Sequence, residues 1–366
     1  MAAAVSDRSW LLALLQFEVA LVRAKAQLGL LSQILADEIV AACDPATFDI
    51  DAIGLAAVGA GNPVVPLIDE LKRRVSGDAV AHVHHGATSQ DALDTAMMLV
   101  SRSALDLLLA DLSALAAQCV LLAGRHRNDP MIGRTLLQSA LPITFGLKCA
   151  NWLMGVVEAR RLLSELKRNR LTVQLGGPVG TLDAFAGRGF ELVEAMASQL
   201  GMPAPELPWH TSRGRVAELG AGLAIAGGAA AKIALDVLLL SQDEVGEVSE
   251  ANWGRSSSMS HKRNQVHAVE ARAAFDGAAA QAGLLLRSIP GEHERAAGPW
   301  QAEWPAVSEA FRLAAGAVNR TTETLTGLRV DTIRMRQNLL RGSAGTADSG
   351  AAQEIIDRAL VAYERS

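Results

Sequence analysis

The chain has 366 residues, of which 50% are hydrophobic and 20% charged, and its formal net charge is −5. This balance excludes an intrinsically disordered protein, and the lack of a basic excess argues against a nucleic-acid-binding protein. With one Tyr and seven Phe among many alanines and leucines, the composition favours closely packed helices over β-sheets.

The first helical pattern covers residues 10–29, where apolar side chains recur at helical spacing and Gly29 occupies the position of a C-terminal cap. A loop at 59–63, GAGNP, separates this part from a short helix over 64–75. We therefore predict a small N-terminal helical domain over 1–82.

Residues 83–290 contain long amphipathic segments, which predict a central helical bundle. Pro142 is expected in the first turn of a helix that runs to about residue 170, and Asn264 or Gln265 is expected to open a later one. The most apolar stretch, 219–231, is short and rich in Gly and Ala, so we expect a core helix there and no membrane span. The bundle is long and has few aromatic residues, so we expect its apolar faces to be buried in an oligomer.

Residues 291–366 are predicted as a short C-terminal helical region with a small-residue linker at 342–350. Three cysteines, Cys43, Cys119 and Cys149, lie in apolar segments and form no CxxC pattern. They predict buried, reduced thiols and a cytoplasmic protein.

Residues 254–264, GRSSSMSHKRN, place three consecutive serines beside basic side chains and an asparagine. Serine side chains compete for backbone hydrogen bonds, so 254–260 is predicted as a mobile loop. Lys262 and Arg263 can neutralise carboxylates, and a serine oxygen can transfer a proton if its pKa is lowered. The pattern suits a small polycarboxylate substrate; a solvated Ser/Lys linker is the alternative.

Residues 82–91, HVHHGATSQD, place three imidazoles before a hydroxyl pair at a predicted helix start. A helix N-terminus attracts an anion through its free N–H groups and dipole, and Thr88 and Ser89 could add side-chain donors. The alternation of His82 and His84 raises a metal site as the competing interpretation. No HExxH motif or carboxylate at ligand spacing supports it, so we expect neither a metal nor another cofactor.

Three other segments are less specific. Thr135 and Gln138 are polar residues beside an apolar pair. Arg213 could clamp a carboxylate with two parallel hydrogen bonds, with an ordinary surface arginine as the alternative. The segment 176–181, GGPVGT, lacks the spacing and the Lys of a phosphate loop, so we interpret it as a tight turn between helices.

Together and in this order, these segments resemble the fumarase/aspartase superfamily over residues 7–330. The signature loop of that superfamily is close to GSSxMPxKxNP, and residues 256–265 read SSSMSHKRNQ. Within the superfamily the chain is most similar to the bacterial 3-carboxy-cis,cis-muconate cycloisomerases. The passages that carry this similarity are FEVAL at 17–21 with Arg23-Ala24, GNPVVPL at 61–67, HHGATSQD at 84–91 with DTA at 94–96, LPITFGLK at 141–148 and PWHT at 208–211.

Four positions refine the resemblance. Leu136 stands where adenylosuccinate lyases usually have a histidine, which argues against a purine-nucleotide lyase. Ser260 and Gln265 replace the two loop prolines, and Gly214 stands where an aspartate is usual. Loss of prolines is expected to make the open loop more flexible and its closure entropically more costly.

The resemblance implies an all-α fold with a long central bundle, and a homotetramer whose sites are shared between subunits. It implies lactonisation of 3-carboxy-cis,cis-muconate through an aci-carboxylate intermediate, with Ser256 as acid/base and His84 as a second catalytic candidate. The implied substrate-binding residues are Asn62, Thr88, Ser89, Thr135, Gln138, Arg213, Lys262 and Asn264. A fumarate-releasing lyase of the same superfamily and a non-catalytic homologue are the alternatives.

Overall fold

The computed structural model describes residues 1–342 and 349–365, so most of the predicted linker at 342–350 lies outside the described residues. Long helices dominate the described chain, which confirms the all-α prediction. The helices are α1 (Asp7–Gln27), α2 (Gln33–Ala42), α3 (Ile50–Ala60), α4 (Val64–Lys72), α5 (Ala79–His82), α6 (Ser89–Arg125), α7 (Phe145–Asn169), α8 (Gly189–Leu200), α9 (Gly214–Leu240), α10 (Val266–Arg287), α11 (Pro299–Leu325), α12 (Thr332–Gly342) and α13 (Ala352–Glu364).

The strands are short and form three antiparallel pairs. They are β1 (Pro130–Thr135) with β2 (Gln138–Thr144), β3 (Val248–Ser249) with β6 (Arg329–Val330), and β4 (Gly254–Arg255) with β5 (Arg263–Asn264). Single 3₁₀ turns occur at Ala2–Val5, Pro45–Thr47 and Asp183–Phe185.

The chain forms two compact units that are interleaved along the sequence. Unit 1 comprises Met1–Asp106, Glu165–Gly220 and Gln281–Glu309, and unit 2 comprises Leu107–Ser164, Ala221–Ala280 and Ala310–Ser366. The predicted boundaries at 82/83 and 290/291 do not coincide with these divisions, and the three-domain description stays a prediction.

Local signals in the sequence explain helix α1 in unit 1. The Ser6 side chain caps its first turn by accepting from the Ser9 N–H, and Gly29, with φ +68°, ends it as predicted. Phe17 and Leu21 on its apolar face are fully buried. Burial of such a side chain contributes roughly 1.5–3 kcal/mol, so the helix is held mainly by packing.

In unit 2, small residues let helices approach closely. Gly228 of α9 faces Phe275 of α10, where a β-carbon would lie 3.2 Å from the ring, and Gly277 of α10 would bring one within 2.9 Å of Leu313. Alanines such as Ala234 and Ala271 fill the interface between α9 and α10. This packing explains how a bundle with few aromatic residues keeps a dense core.

The helix predicted to run to about residue 170 is present as α7, but its predicted start at Pro142 is wrong. Pro142 lies in β2 opposite Ile132, and helix α7 begins only at Phe145. The two strands are joined by Leu136 and Leu137, both with positive φ, +50° and +63°. Such a turn normally contains Asn or Gly, so two leucines do not indicate a hairpin here.

Residues 219–231 lie inside α9, where Leu223, Ala226 and Ala230 are buried. By length and composition alone, α6 and α9 are both long and apolar enough to cross a membrane. The described structure buries 39% of the apolar 18-residue stretch of α6 and 50% of the corresponding stretch of α9. A protein without membrane contact therefore stays a prediction.

Candidate active site

In unit 1, the turn that follows α5 is fixed against helix α1. His84 has φ +58° and its Nδ1 lies 2.6 Å from Oε1 of Glu18, a side chain that is 1% exposed. Glu18 and Lys25 are seven residues apart and therefore project from the same face of α1. Lys25 Nζ donates to the carbonyl oxygen of the adjacent His85. One helix face thus holds both the His84 side chain and the backbone next to it.

The charges around this turn shift two pKa values. Burial disfavours a charge on His84, but the carboxylates of Glu18 and, further away, Asp91 outweigh it and raise the pKa of the imidazole above its ordinary value. Burial lowers the pKa of Lys25 to about 8, although Glu18 acts in the opposite direction. His84 is therefore biased toward its cationic form, which suits a carboxylate ligand.

Asp91 joins the start of α6 to the glycine turn and to a buried histidine. Its carboxylate accepts from the N–H groups of Thr88 at 3.0 Å and of Gly176 and Gly177 at 2.9 Å. His210 Nε2 lies 2.7 Å from Asp91 Oδ1. The sequence correctly indicated a tight turn at 176–181, but it did not identify Asp91 as the acceptor that holds this turn, since the contact joins distant parts of the chain.

Arg213 does not project into solvent or into an open cleft. It is 2% exposed, and its five N–H groups donate to both oxygens of Asp94, both oxygens of Glu303 and the His210 carbonyl. Burial raises the pKa of Glu303 despite the neighbouring guanidinium. The predicted role of Arg213 as a clamp on a substrate carboxylate does not fit this arrangement, because every donor is already used within unit 1.

Three other candidates in unit 1 lie at helix starts. Asn62 Oδ1 accepts from the N–H groups of Val64 at 3.0 Å and Val65 at 3.4 Å, and so caps α4. Thr88 and Ser89 are partly exposed at the start of α6, within five residues of His84. An anion bound there would meet two hydroxyls, the helix dipole and an imidazole.

In unit 2, Thr135 and Gln138 are cross-strand partners at the end of the β1–β2 hairpin, and both are exposed. Their tip consists of Leu136, 96% exposed, and Leu137, 74% exposed. Close to this tip, Arg134 is paired with Ser139 across the strands and donates to both carboxylate oxygens of the fully buried Glu247. The hairpin thus presents two polar side chains and an apolar tip, and the ion pair of Arg134 with Glu247 holds the strand next to them.

The serine-rich segment is a hairpin loop between β4 and β5. Ser256 Oγ accepts from the N–H groups of Ser258 at 3.3 Å and Met259 at 3.1 Å. Lys262 is exposed in the same loop, and Asn264 lies in β5 opposite Gly254. Helix α10 begins at Val266, just after the predicted position.

Gln265 fixes the base of this loop. Its side-chain oxygen accepts from the Glu250 N–H at 2.6 Å. Glu250 is 1% exposed and its carboxylate accepts from the Ala268 N–H at 2.8 Å and from the Thr324 hydroxyl at 3.0 Å. The departure from proline at 265 therefore supplies an anchor that a proline side chain could not make.

A cavity of about 940 Å³ lies behind the loop within unit 2. Its walls include Met259, Lys262 and Arg263 from the loop and Arg329 and Asp331 from the segment around β6. Three basic side chains, Lys262, Arg263 and Arg329, stand against two aspartates, Asp243 and Asp331, in this lining, and the small basic excess suits an anion. Among the described residues, no group of three or more His, Cys, Asp or Glu side chains could hold a metal ion.

The candidate residues thus form two sets. Unit 1 carries His84, Thr88, Ser89, Asn62 and Arg213. Unit 2 carries the candidates from the β1–β2 hairpin and from the serine-rich loop. The hairpin and loop candidates of unit 2 are Thr135, Gln138, Ser256, Lys262 and Asn264.

A model of the lyase family matches residues 1–281. A 3-carboxy-cis,cis-muconate cycloisomerase from Bradyrhizobium diazoefficiens is 44% identical over 93% of this chain and 76% of the relative. A nitrosuccinate lyase from Streptomyces davaonensis is 45% identical over 92% of this chain and 74% of the relative. The crystal structure of 3-carboxy-cis,cis-muconate lactonizing enzyme from Pseudomonas putida superposes with a TM-score of 0.90 at 33% identity, covering 98% of this chain and 96% of that one. The chain therefore belongs to the lyase family of the fumarase/aspartase superfamily.

Proposed function

We propose that the protein is a cycloisomerase that lactonises 3-carboxy-cis,cis-muconate to 4-carboxymuconolactone. The observation that carries this proposal is the repeated similarity to enzymes of that name. Relatives named 3-carboxy-cis,cis-muconate cycloisomerase from Bradyrhizobium diazoefficiens, Pseudomonas aeruginosa and Pseudomonas putida are 44%, 43% and 40% identical to this chain. Each alignment covers at least 91% of the chain.

The chemistry needs donors for a doubly charged intermediate. A substrate carboxylate oxygen adds to the conjugated double bond, and the electrons move into the neighbouring carboxyl group to give an aci-carboxylate. Thr88, Ser89, Lys262 and Asn264 are the proposed donors to that charge, since fixed donors are most effective where charge develops. Protonation of the adjacent carbon then completes the lactone.

Ser256 is the proposed proton donor. As the proton leaves, the negative charge on Oγ is stabilised by the two backbone N–H groups, of Ser258 and Met259, that already point at this oxygen. Thr135 and Gln138 are proposed to bind the remaining substrate carboxylates, and Asn62 is proposed to bind substrate beyond its capping contact. Arg213 is proposed only to hold the segment before α9 in place, through its bonds to Asp94 and Glu303.

A second candidate is a β-eliminating lyase that releases fumarate from a substituted succinate. The 45% identity to a nitrosuccinate lyase favours it specifically. Removal of a proton next to a carboxylate also gives an aci-carboxylate, so the same donors would serve, with Ser256 as the base. The two reactions differ in whether the carbon–heteroatom bond forms or breaks.

We also propose a cytoplasmic homotetramer with sites shared between subunits, acting on a small polycarboxylate and not on nucleic acid or membrane. The apolar tip of the β1–β2 hairpin supports an oligomer, because Leu136, Leu137 and Leu141 are each at least 74% exposed in the single chain. The buried, free thiols of Cys43, Cys119 and Cys149 support a reducing compartment.

The test is an absorbance assay of 3-carboxy-cis,cis-muconate, whose conjugated diene is lost on lactonisation. Ser256→Ala should reduce the rate by about 10²–10⁴-fold, as expected for loss of general acid–base help. Ser257→Ala is the matched control, since this neighbouring serine is exposed and has no proposed role. Fumarate release from nitrosuccinate without diene loss would select the lyase, and silence with both substrates would favour a non-catalytic homologue.

A further inference from the structure

Glu18 is a buried carboxylate to which the preceding mechanism gives no role. It is 1% exposed on α1, and its Oε1 lies 2.6 Å from His84 Nδ1. Its other oxygen, Oε2, has no hydrogen-bond partner among the described residues. Desolvation of a carboxylate is costly, and a single partner compensates it poorly. Fold stability therefore does not explain why a carboxylate stands here.

We propose that Glu18 is the positioning residue for His84: it fixes the ring with Nδ1 toward α1, so that Nε2 is directed to a substrate carboxylate. This inference rests on the proposed function and on the assignment of His84 as its second catalytic candidate, which binds substrate or relays a proton. The two ring nitrogens point in different directions at a fixed angle in the plane of the imidazole, so a bond to one of them sets the direction of the other.

The backbone around His84 is held by separate contacts. Lys25 Nζ donates to the His85 carbonyl and also lies 5.5 Å from the centre of the Phe185 ring. The same ring covers Gly86, which has φ +82° and where a β-carbon would lie 2.5 Å from the ring. His84 itself has a positive φ, a conformation that persists only when the surroundings enforce it. These contacts fix the backbone of the turn but not the orientation of the His84 ring. The ring therefore needs a partner of its own, and Glu18 supplies it.

The charged groups that act on His84 come from three helices: Glu18 on α1, Asp91 on α6 and Lys72 on α4. The two carboxylates favour the imidazolium, and Lys72 opposes it. Asp91 already accepts four hydrogen bonds in its own network. Glu18, in direct contact, is therefore the group through which the charge of His84 is maintained.

A direct test follows the titration of His84 by NMR in protein labelled with ¹³C at histidine Cε1, with the signal assigned by its loss in His84→Gln. Glu18→Gln should move the His84 midpoint to lower pH, and Glu18→Asp, which keeps the charge, should restore most of the shift. Glu323→Gln is the matched control, because it removes an exposed carboxylate 3.1 Å from another imidazole, that of His267. An unchanged His84 midpoint in Glu18→Gln would overturn the proposal.

The second test uses activity and separates positioning from folding. Glu18→Gln should lower kcat/KM roughly 10- to 100-fold, the size of effect found when the partner that orients a metal-bound histidine is removed. In a His84→Gln background the same substitution should cause no further loss. An equal loss in both backgrounds would overturn the proposal. If the wild-type protein turns over neither substrate, the proposed function fails, while the NMR titration still decides whether Glu18 controls His84.

Discussion

Gln265 and Glu250 are joined by a hydrogen bond of 2.6 Å from the Glu250 N–H to the Gln265 side-chain oxygen. This bond links the segment that enters the serine-rich hairpin to the residue that leaves it, immediately before α10. The sequence predicted that replacement of proline at 265 would loosen the loop. The structure instead places an anchor at the base of the loop, so any added freedom is confined to the segment between β4 and β5.

Gln265→Ala should destabilise the protein by roughly 1–3 kcal/mol, because the Glu250 N–H would lose its acceptor in a buried position. Urea unfolding of the purified variant measures this change. Gln33→Ala, which removes an exposed glutamine that donates to Asp37, should change the free energy of unfolding by less than about 0.5 kcal/mol. Equal stability of the two variants would show that the anchor contributes nothing.

Arg213→Lys tests whether this arginine is structural. Lysine cannot reproduce five donors in a planar fork, so Asp94 and Glu303 would be left incompletely paired in a buried site. We expect a loss of about 3–5 kcal/mol in unfolding free energy. Arg168→Lys, at an exposed ion pair with Glu165, is the control and should be nearly neutral. A stable Arg213→Lys protein with a raised KM would instead support the original prediction of a carboxylate clamp.

The three cysteines should be unreactive in the folded protein. Burial raises the pKa of Cys43 and of Cys119 to about 12, and raises that of Cys149 well above its ordinary value. The thiolate is the reactive form, so a disulfide reagent such as dithionitrobenzoate should release almost no chromophore from native protein and about three equivalents in denaturant. Rapid release of one equivalent without denaturant would show that one of these thiols is accessible.

What the sequence could predict was local. The apolar periodicity of α1 and its glycine cap, and the tight turn at 176–181, depend on neighbouring residues and agree with the structure. The β1–β2 hairpin was missed because Leu136 and Leu137 are unusual turn residues and Pro142 is uncommon in a strand. The partners of Arg213 could not be inferred, since Glu303 is 90 residues away along the chain. The same holds for the pairing of Glu18 with His84 across 66 residues.

Lys25 should make stability depend on pH in the alkaline range. Its folded-state pKa is lowered to about 8 from 10.5, so between these values the unfolded chain binds more protons than the folded one. Stability relative to a variant without the amine therefore increases as the pH rises through this window. We expect the difference in unfolding free energy between wild type and Lys25→Met to change in favour of the wild type by up to roughly 3 kcal/mol between pH 7 and pH 10.5. Lys232→Met, at an exposed amine, is the control, and its difference in unfolding free energy from wild type should stay nearly constant over this pH range. If the difference for Lys25→Met is constant as well, burial does not perturb the pKa of Lys25.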